Sequence, residues 1–198
     1  MPLLRSLSLA LLLALPVTVQ AQDARLTERL DAATAAQVQQ EVDSAKKAGL
    51  PSEPLVQKAL EGGTLGAGGD RIVAAVHALH GQLRRARSAL GGEASDAELT
   101  AAAGALRAGL EPAALRRLQS LRGGRPLVVP IAVLTDLVAE GVPPAEATRS
   151  VLDLARDGKP DDEFVALRRQ VQVQRRGSAG EPMGRPPLRP AADPPVDR

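Results

Sequence analysis

The sequence predicts an all-α fold in which helical hairpins follow one another along the chain, as an irregular bundle or a short α-solenoid of about seven to eight helices. Aliphatic residues recur at helical spacing, for example at Ile72, Val76 and Leu79, and therefore line one face of a helix. The periodic segments end in a glycine, an aliphatic residue and a proline, which is a helix stop followed by a helix start. No alternating run of β-branched residues indicates a strand.

The repeated turn motif sets the predicted helix boundaries. Its glycine can adopt the left-handed conformation, the aliphatic residue can fold back onto the last turn, and the proline suits the first turn of the next helix. The motif occurs at 48–51, 108–112 and 140–144, and more weakly at 157–160. The resulting helices are predicted at 31–48, 52–61, 70–90, 95–108, 112–122, 128–140, 144–157 and 161–175.

Three segments carry further local signals. Ser95-Asp96-Ala97-Glu98 has the pattern of a capping box, in which Ser95 and Glu98 each bond to the other's backbone. The acidic run at 161–163 is predicted to complement a helix dipole, with Asp161 as the cap, rather than to act as an acid/base pair. The glycine-rich stretch 62–69 lacks the Lys-Ser/Thr of a phosphate-binding loop and is predicted to be a flexible connector.

The segment 128–134 has apolar residues on every side, which predicts a central helix covered by its neighbours. A β-strand is the alternative for so short an apolar run. Pro126 and Pro130 argue against a strand, because each would remove a hydrogen-bond donor from the ladder.

The first 21 residues have the features of a secretory signal peptide. Arg5 is the only charged side chain, the run 7–19 is almost wholly apolar, and cleavage is expected after Ala21. A retained N-terminal anchor is the alternative. The predicted organisation is therefore a signal peptide at 1–21, a helical domain at 22–176 and a disordered Pro/Arg-rich tail at 177–198, exported to the periplasm or secreted. No later run reaches the roughly 20 apolar residues of a membrane span, so no transmembrane segment is expected in the mature chain.

Composition excludes several classes of function. The chain has no cysteine, which removes disulfides, a lipid-modified N-terminus and thiol-based chemistry. Phe164 is the only aromatic residue, and this argues against carbohydrate platforms, single-stranded nucleic-acid grooves and tight protein-binding hot spots. Without residues 1–21 the chain would carry 24 basic and 23 acidic residues, so no nucleic-acid partner is predicted.

Basic residues are concentrated in the middle of the chain. Residues 71–125 contain nine basic and four acidic side chains, and this segment could attract an anionic partner. Arginine can bind a carboxylate or phosphate through two parallel hydrogen bonds. The candidate residues for anion or partner binding are Arg84, Arg85, Arg87, Arg116 and Arg117. The alternative is that these side chains are simply solvated surface charge.

His77 and His80 are the only pair with metal-ligand spacing. Arginines flank them and no third His or Cys is present, so a carboxylate from another helix would have to complete a site. They are a weak metal candidate, and no metal or other cofactor is predicted. No Gly-x-Ser-x-Gly motif surrounds any serine, and no catalytic residue is assigned.

These observations predict a non-enzymatic interaction or scaffolding module. Its partner is expected to be an unidentified protein or an anionic component of the cell envelope. The alternative is an anion-binding or small-ligand-binding protein that uses the arginine-rich segment 71–125.

Overall fold

The computed structural model describes residues 23–179, and this part of the chain forms nine α-helices and no strand, which confirms the all-α prediction. The helices are α1 (Ala24–Arg29), α2 (Ala32–Lys47), α3 (Glu53–Thr64), α4 (Gly69–Leu90), α5 (Asp96–Arg107), α6 (Pro112–Arg122), α7 (Val128–Ala139), α8 (Pro144–Arg156) and α9 (Asp161–Ala179). Helices α2 to α9 correspond to the eight predicted ones. The predicted signal peptide at 1–21 lies outside the described residues, as does most of the tail predicted at 177–198. Residues 177–179 of that predicted tail belong to α9.

The helices form two rows, because most of them pack against the second helix along the chain as well as against sequence neighbours. Odd-numbered helices occupy one row and even-numbered helices the other, with α4 packing between α2 and α6 and α7 between α5 and α9. The exception is the pair α3 and α5, which do not pack closely against each other. This arrangement is typical of a short α-solenoid built from helical hairpins.

The turns between hairpins have the predicted geometry. Gly49, Gly109 and Gly141 have φ values of 65°, 91° and 83°, in the left-handed region that favours glycine. The aliphatic residue after each glycine folds back, as in the hydrogen bonds from Leu50 N to Ala45 O and from Val142 N to Leu137 O, both 2.9 Å long. These bonds define Schellman motifs and confirm the interpretation of the repeated turn.

The predicted capping box is also confirmed. The Ser95 hydroxyl accepts a hydrogen bond from the Glu98 N–H, and the Glu98 carboxylate accepts one from the Ser95 N–H. The second carboxylate oxygen accepts from the Leu127 N–H at 2.9 Å, which ties the start of α5 to the start of α7.

The prediction that α7 is the central helix is wrong. Ile131, Leu134 and Leu137 are buried, but Val128 and Ala132 are exposed. Helix α7 packs against α5, α8 and α9, whereas the 22-residue helix α4 packs against four helices, α2, α3, α5 and α6. The length of α4 lets it contact both rows, and α4 therefore occupies the central position.

Half of the glycine-rich stretch 62–69 is helical, and only residues 65–68 connect α3 to α4. Helix α3 continues through Gly62 and Gly63, and α4 begins at Gly69. A Cβ atom at Gly62 would lie 2.8 Å from Ile72 Cγ1, and one at Gly63 would lie 2.9 Å from Leu30 Cδ2. A Cβ at Gly69 would overlap the hydroxyl oxygen of Thr34. These glycines allow the helix ends to approach one another closely.

Gly69→Ala is expected to reduce the free energy of unfolding by about 1–2 kcal/mol, because the packed helices would have to move apart. Thr34 cannot easily yield, since its hydroxyl donates to the Asp31 carboxylate at 2.6 Å. Gly81→Ala is the matched control: it lies inside α4 with no atom within 4 Å of its Cβ position, and it should gain up to about 1 kcal/mol of helix propensity. Urea unfolding followed by circular dichroism distinguishes the two, and equal shifts in the same direction would contradict the packing argument.

Candidate functional site

The two histidines of α4 share one carboxylate from α2. His77 Nδ1 lies 2.8 Å from one oxygen of Glu41, and His80 Nδ1 lies 2.6 Å from the other. The His77 side chain is 75% exposed, whereas that of His80 is 9% exposed. The Nε2 atom of His80 is buried and has no hydrogen-bond partner among residues 23–179. Glu41 is thus the carboxylate from another helix that a metal site at these histidines would require.

The side chains of Glu41, His77 and His80 are arranged as hydrogen-bond partners. Each carboxylate oxygen of Glu41 accepts from a different imidazole. Across residues 23–179, no group of three or more His, Cys, Asp or Glu side chains is arranged to hold a metal ion. Burial raises the pKa of Glu41, but the hydrogen bonds from His77 and His80 lower it by more, and the net pKa lies below the usual value. The cluster therefore joins α2 to α4 through an ionised carboxylate.

The five candidate arginines divide into two groups. Arg84, Arg85, Arg116 and Arg117 are exposed, and their guanidinium groups make no hydrogen bond or ion pair with the rest of residues 23–179. Arg87 differs, because it donates to the carbonyl oxygens of Gly49 at 2.7 Å and Gly92 at 2.6 Å. Arg87 thereby fixes two turns to each other, and four of the five arginines have free charge.

In the even-numbered row, these free charges lie at the same end of neighbouring helices. Helices α2 and α4 run in the same direction, since Glu41 pairs with His77 and His80 and, further along both helices, Gly49 accepts from Arg87. Helix α6 also runs parallel to α4, and near their C-terminal ends Gln119 Nε2 donates to Leu90 O. Six exposed cations lie within the last two turns of these three helices. One of them, Lys46, interacts electrostatically with Asp23. The other five are called the basic band: Lys47, Arg84, Arg85, Arg116 and Arg117. Helices α4 and α6 together carry seven arginines and one acidic residue, Asp70, at the opposite end of α4.

Arg122 is a buried arginine whose role the sequence did not reveal. It is 4% exposed and donates to Pro126 O at 2.9 Å and to the Asp161 carboxylate at 2.6 Å. Its guanidinium lies 5.4 Å from the centre of the Phe164 ring, within reach of a cation–π interaction. Asp161 is the first residue of α9, not the capping residue before it, and its carboxylate pairs with Arg122. The prediction that Asp161 caps the helix is therefore wrong.

An open groove of about 1020 Å³ lies between α3 and α5, where the odd-numbered row is interrupted. Leu79 of α4 belongs to its lining, and most of the lining surface is apolar. The residues that line it are Pro51, Ser52, Glu53, Pro54, Gln57, Lys58, Glu61, Leu79, Asp96, Ala97, Thr100 and Ala101. Its size is at the upper end of the roughly 300–1,000 Å³ of small-molecule pockets, and its open form suits a larger, elongated ligand.

The polar residues of this groove include three carboxylates and one lysine. Lys58 pairs with Glu61 at 2.8 Å, and Glu53 pairs with Arg25 at 2.9 Å. The hydrogen bond from Arg25 and a second one from Gln57 lower the pKa of Glu53 to about 2, so Glu53 is ionised at any physiological pH. Asp96 makes no ion pair with other residues of the described part of the chain. The excess charge of the groove is therefore negative.

A second groove of about 560 Å³ separates α6 from α8 in the even-numbered row. Leu110, Ala114 and Leu152 contribute its apolar surface, and Arg117 of the basic band lies on its wall. Of the five residues of the basic band, Arg117 alone lines this groove or the α3/α5 groove.

Within residues 23–179, no helix combines the length and the apolar character needed to cross a bilayer. No protein-family model matches the chain, and neither does any curated protein or any solved structure.

Proposed function

We propose that the protein is an exported, non-enzymatic interaction module that binds a helix of a partner protein in the groove between α3 and α5. The gap in the odd-numbered row is the observation that carries this proposal. Elsewhere in that row each helix packs against the next, whereas α3 and α5 leave an apolar trough with Leu79 in its lining. A helix laid in the trough would contact α3, α4 and α5, much as α7 contacts α5, α8 and α9.

The lining of the groove specifies the chemistry of the partner helix. Ala97 and Ala101 are small, so a helix can approach the α5 wall closely, and Leu79 offers apolar contact. The excess of carboxylates favours basic residues beside the apolar stripe. The partner is therefore an amphipathic helix with aliphatic anchors at i, i+3, i+4 and i+7 and lysines or arginines on its flanks.

A defined peptide tests this proposal. The chain has no cysteine, so Thr100→Cys gives a single site in the groove for an environment-sensitive fluorophore. A synthetic amphipathic helix of leucine and lysine should change the fluorescence saturably, and the same peptide with glutamate for lysine should bind more weakly. Ala97→Arg places a long side chain in the groove and should weaken binding by about tenfold or more.

Ala36→Arg is the matched control for the peptide experiment, because Ala36 is likewise exposed but lies on α2, away from the groove lining. Circular dichroism should show both variants folded, since each replaces an exposed residue. Equal peptide affinity for the two variants would contradict docking between α3 and α5.

The second candidate function is binding of an anion or small anionic ligand by the arginine-rich segment. Four exposed arginines on the packed helices α4 and α6 favour it, because their guanidinium groups have no partner within residues 23–179: Arg84, Arg85, Arg116 and Arg117. Inorganic tripolyphosphate should then bind, with an affinity that falls as salt is added. Replacement of these four arginines by glutamine should abolish the heat of binding in calorimetry, and unchanged heat would contradict this function.

A further inference from the structure

We infer that the basic band docks the protein, without insertion, on the surface of an anionic phospholipid bilayer. This inference rests on the second candidate function and names its ligand. The band is formed by Lys47 of α2, Arg84 and Arg85 of α4, and Arg116 and Arg117 of α6.

The shape of the band suits an extended surface rather than a single small ligand. Its cations come from three parallel helices packed side by side, and packed helices are separated by about 8–10 Å. The charges therefore form a row that spans several headgroups. Arg117 is the only one of these five residues that lines either of the two grooves described above. The five cations therefore do not surround a single anion in one of those grooves.

The chemistry of the band favours phosphate. Arginine presents a planar fork of donors that matches two phosphate oxygens, and four of the five cations are arginines with no competing acceptor among the described residues. The acidic residues nearest the band along the chain make no ion pair with it: Asp43 accepts a hydrogen bond from Gln39, and Glu93 and Glu111 are exposed.

The surface around the band lacks the side chains that enter a membrane. Within the described part of the chain the exposed large apolar residues are Leu65, Val128 and Val173, and none of them lies on α2, α4 or α6. The single aromatic residue, Phe164, is fully buried. Attachment through the band is therefore peripheral and electrostatic, and it weakens as salt screens the charges.

Flotation of the full chain with lipid vesicles tests this inference. Vesicles of phosphatidylglycerol and phosphatidylcholine should bind the protein, and the combined variant Arg84→Gln, Arg85→Gln, Arg116→Gln, Arg117→Gln should bind at least about tenfold more weakly. The matched control replaces four exposed arginines outside the band and has the same net charge: Arg29→Gln, Arg71→Gln, Arg107→Gln, Arg149→Gln. The control should retain most of the binding. Residues 1–22 and 180–198 are identical in both variants, so their contribution cancels in the comparison.

Four results would overturn the inference. Equal loss in the two variants would mean that net charge, not the band, causes attachment. Equal binding by the band variant and the unmodified chain would place the contact elsewhere. Displacement of the protein from vesicles by glycerol 3-phosphate at an equal phosphate concentration would indicate a site for one headgroup instead of a surface. Tripolyphosphate binding that requires the band, together with no vesicle binding, would exclude the bilayer while leaving the second candidate function intact.

Discussion

Replacement of Arg122 by methionine is expected to reduce the free energy of unfolding by about 2–4 kcal/mol. The guanidinium of Arg122 donates to Lys159 O, Pro126 O and the Asp161 carboxylate, and it lies over the Phe164 ring. Methionine keeps much of the apolar volume but provides no donor. The Asp161 side chain is 41% exposed and can be solvated after the change, which limits the loss.

Thermal unfolding measures this effect, with an expected fall in Tm of about 2–4 °C for each kcal/mol in a domain of this size. Arg117→Met is the control, because the exposed Arg117 side chain bonds to no other described residue and its replacement should change stability by less than about 0.5 kcal/mol. Arg122→Lys tests the geometry: one ammonium keeps the charge but cannot reach three acceptors in a fork, so most of the loss should remain. Equal Tm values for Arg122→Met and Arg117→Met would contradict the structural role of Arg122.

The bonds of Arg122 explain how the C-terminal helices are positioned. Arg122 ends α6, and its acceptors lie in the turn before α7, in the turn before α9 and at the start of α9. Arg125 donates to Gly158 O at 3.0 Å in the same region. These two arginines therefore connect the end of α6 to the α8–α9 turn. The charged groups of Arg122 and Arg125 thus form hydrogen bonds that stabilise the fold. Arg116 and Arg117 on α6 form none with the rest of residues 23–179.

Local signals in the sequence were sufficient to predict most of the fold. The turn at Gly49 and the capping box at Ser95 depend on residues within a few positions of each other, and the structure confirms both. Helix α1 was not predicted because it has six residues and one buried side chain, Leu26, which is too little for a periodic pattern. The position of α4 at the centre was missed because it depends on contacts between helices.

The candidate site depends still more on contacts between distant residues. Glu41 meets His77 across 36 positions, and the groove exists because α3 and α5 fail to pack, which no single segment encodes. The glycines at 62 and 69 resemble loop residues in the sequence, although in the fold they permit close packing against Ile72 and Thr34. The arginines were visible as a basic segment, but the sequence could not separate Arg87 and Arg122, which are bonded, from those that are free.

Glu41→Ala is expected to reduce the free energy of unfolding at neutral pH by about 1–3 kcal/mol. The substitution removes the acceptor of His80 Nδ1, and His80 Nε2 has no partner in the described part of the chain. The imidazole of this nearly buried residue would therefore keep no hydrogen bond to residues 23–179. It also removes the hydrogen bond of His77 and with it a side-chain link between α2 and α4. Glu41→Gln retains one acceptor oxygen and should reduce the free energy of unfolding by less than Glu41→Ala does.

The effect of Glu41→Ala should depend on pH in a defined direction. The folded-state pKa of Glu41 lies below the usual pKa of a glutamate side chain, so the carboxylate stabilises the fold above that usual pKa and the contribution is lost as the pH falls through the lowered pKa. The difference in unfolding free energy between the unmodified chain and Glu41→Ala should therefore be full at pH 5 and smaller at pH 2.5, measured by urea unfolding. Gln40→Ala, an exposed and uncharged neighbour on α2, should show the same small difference at both pH values. A Glu41→Ala difference that does not shrink on acidification would mean that the ionised carboxylate is not what holds His77 and His80 in place.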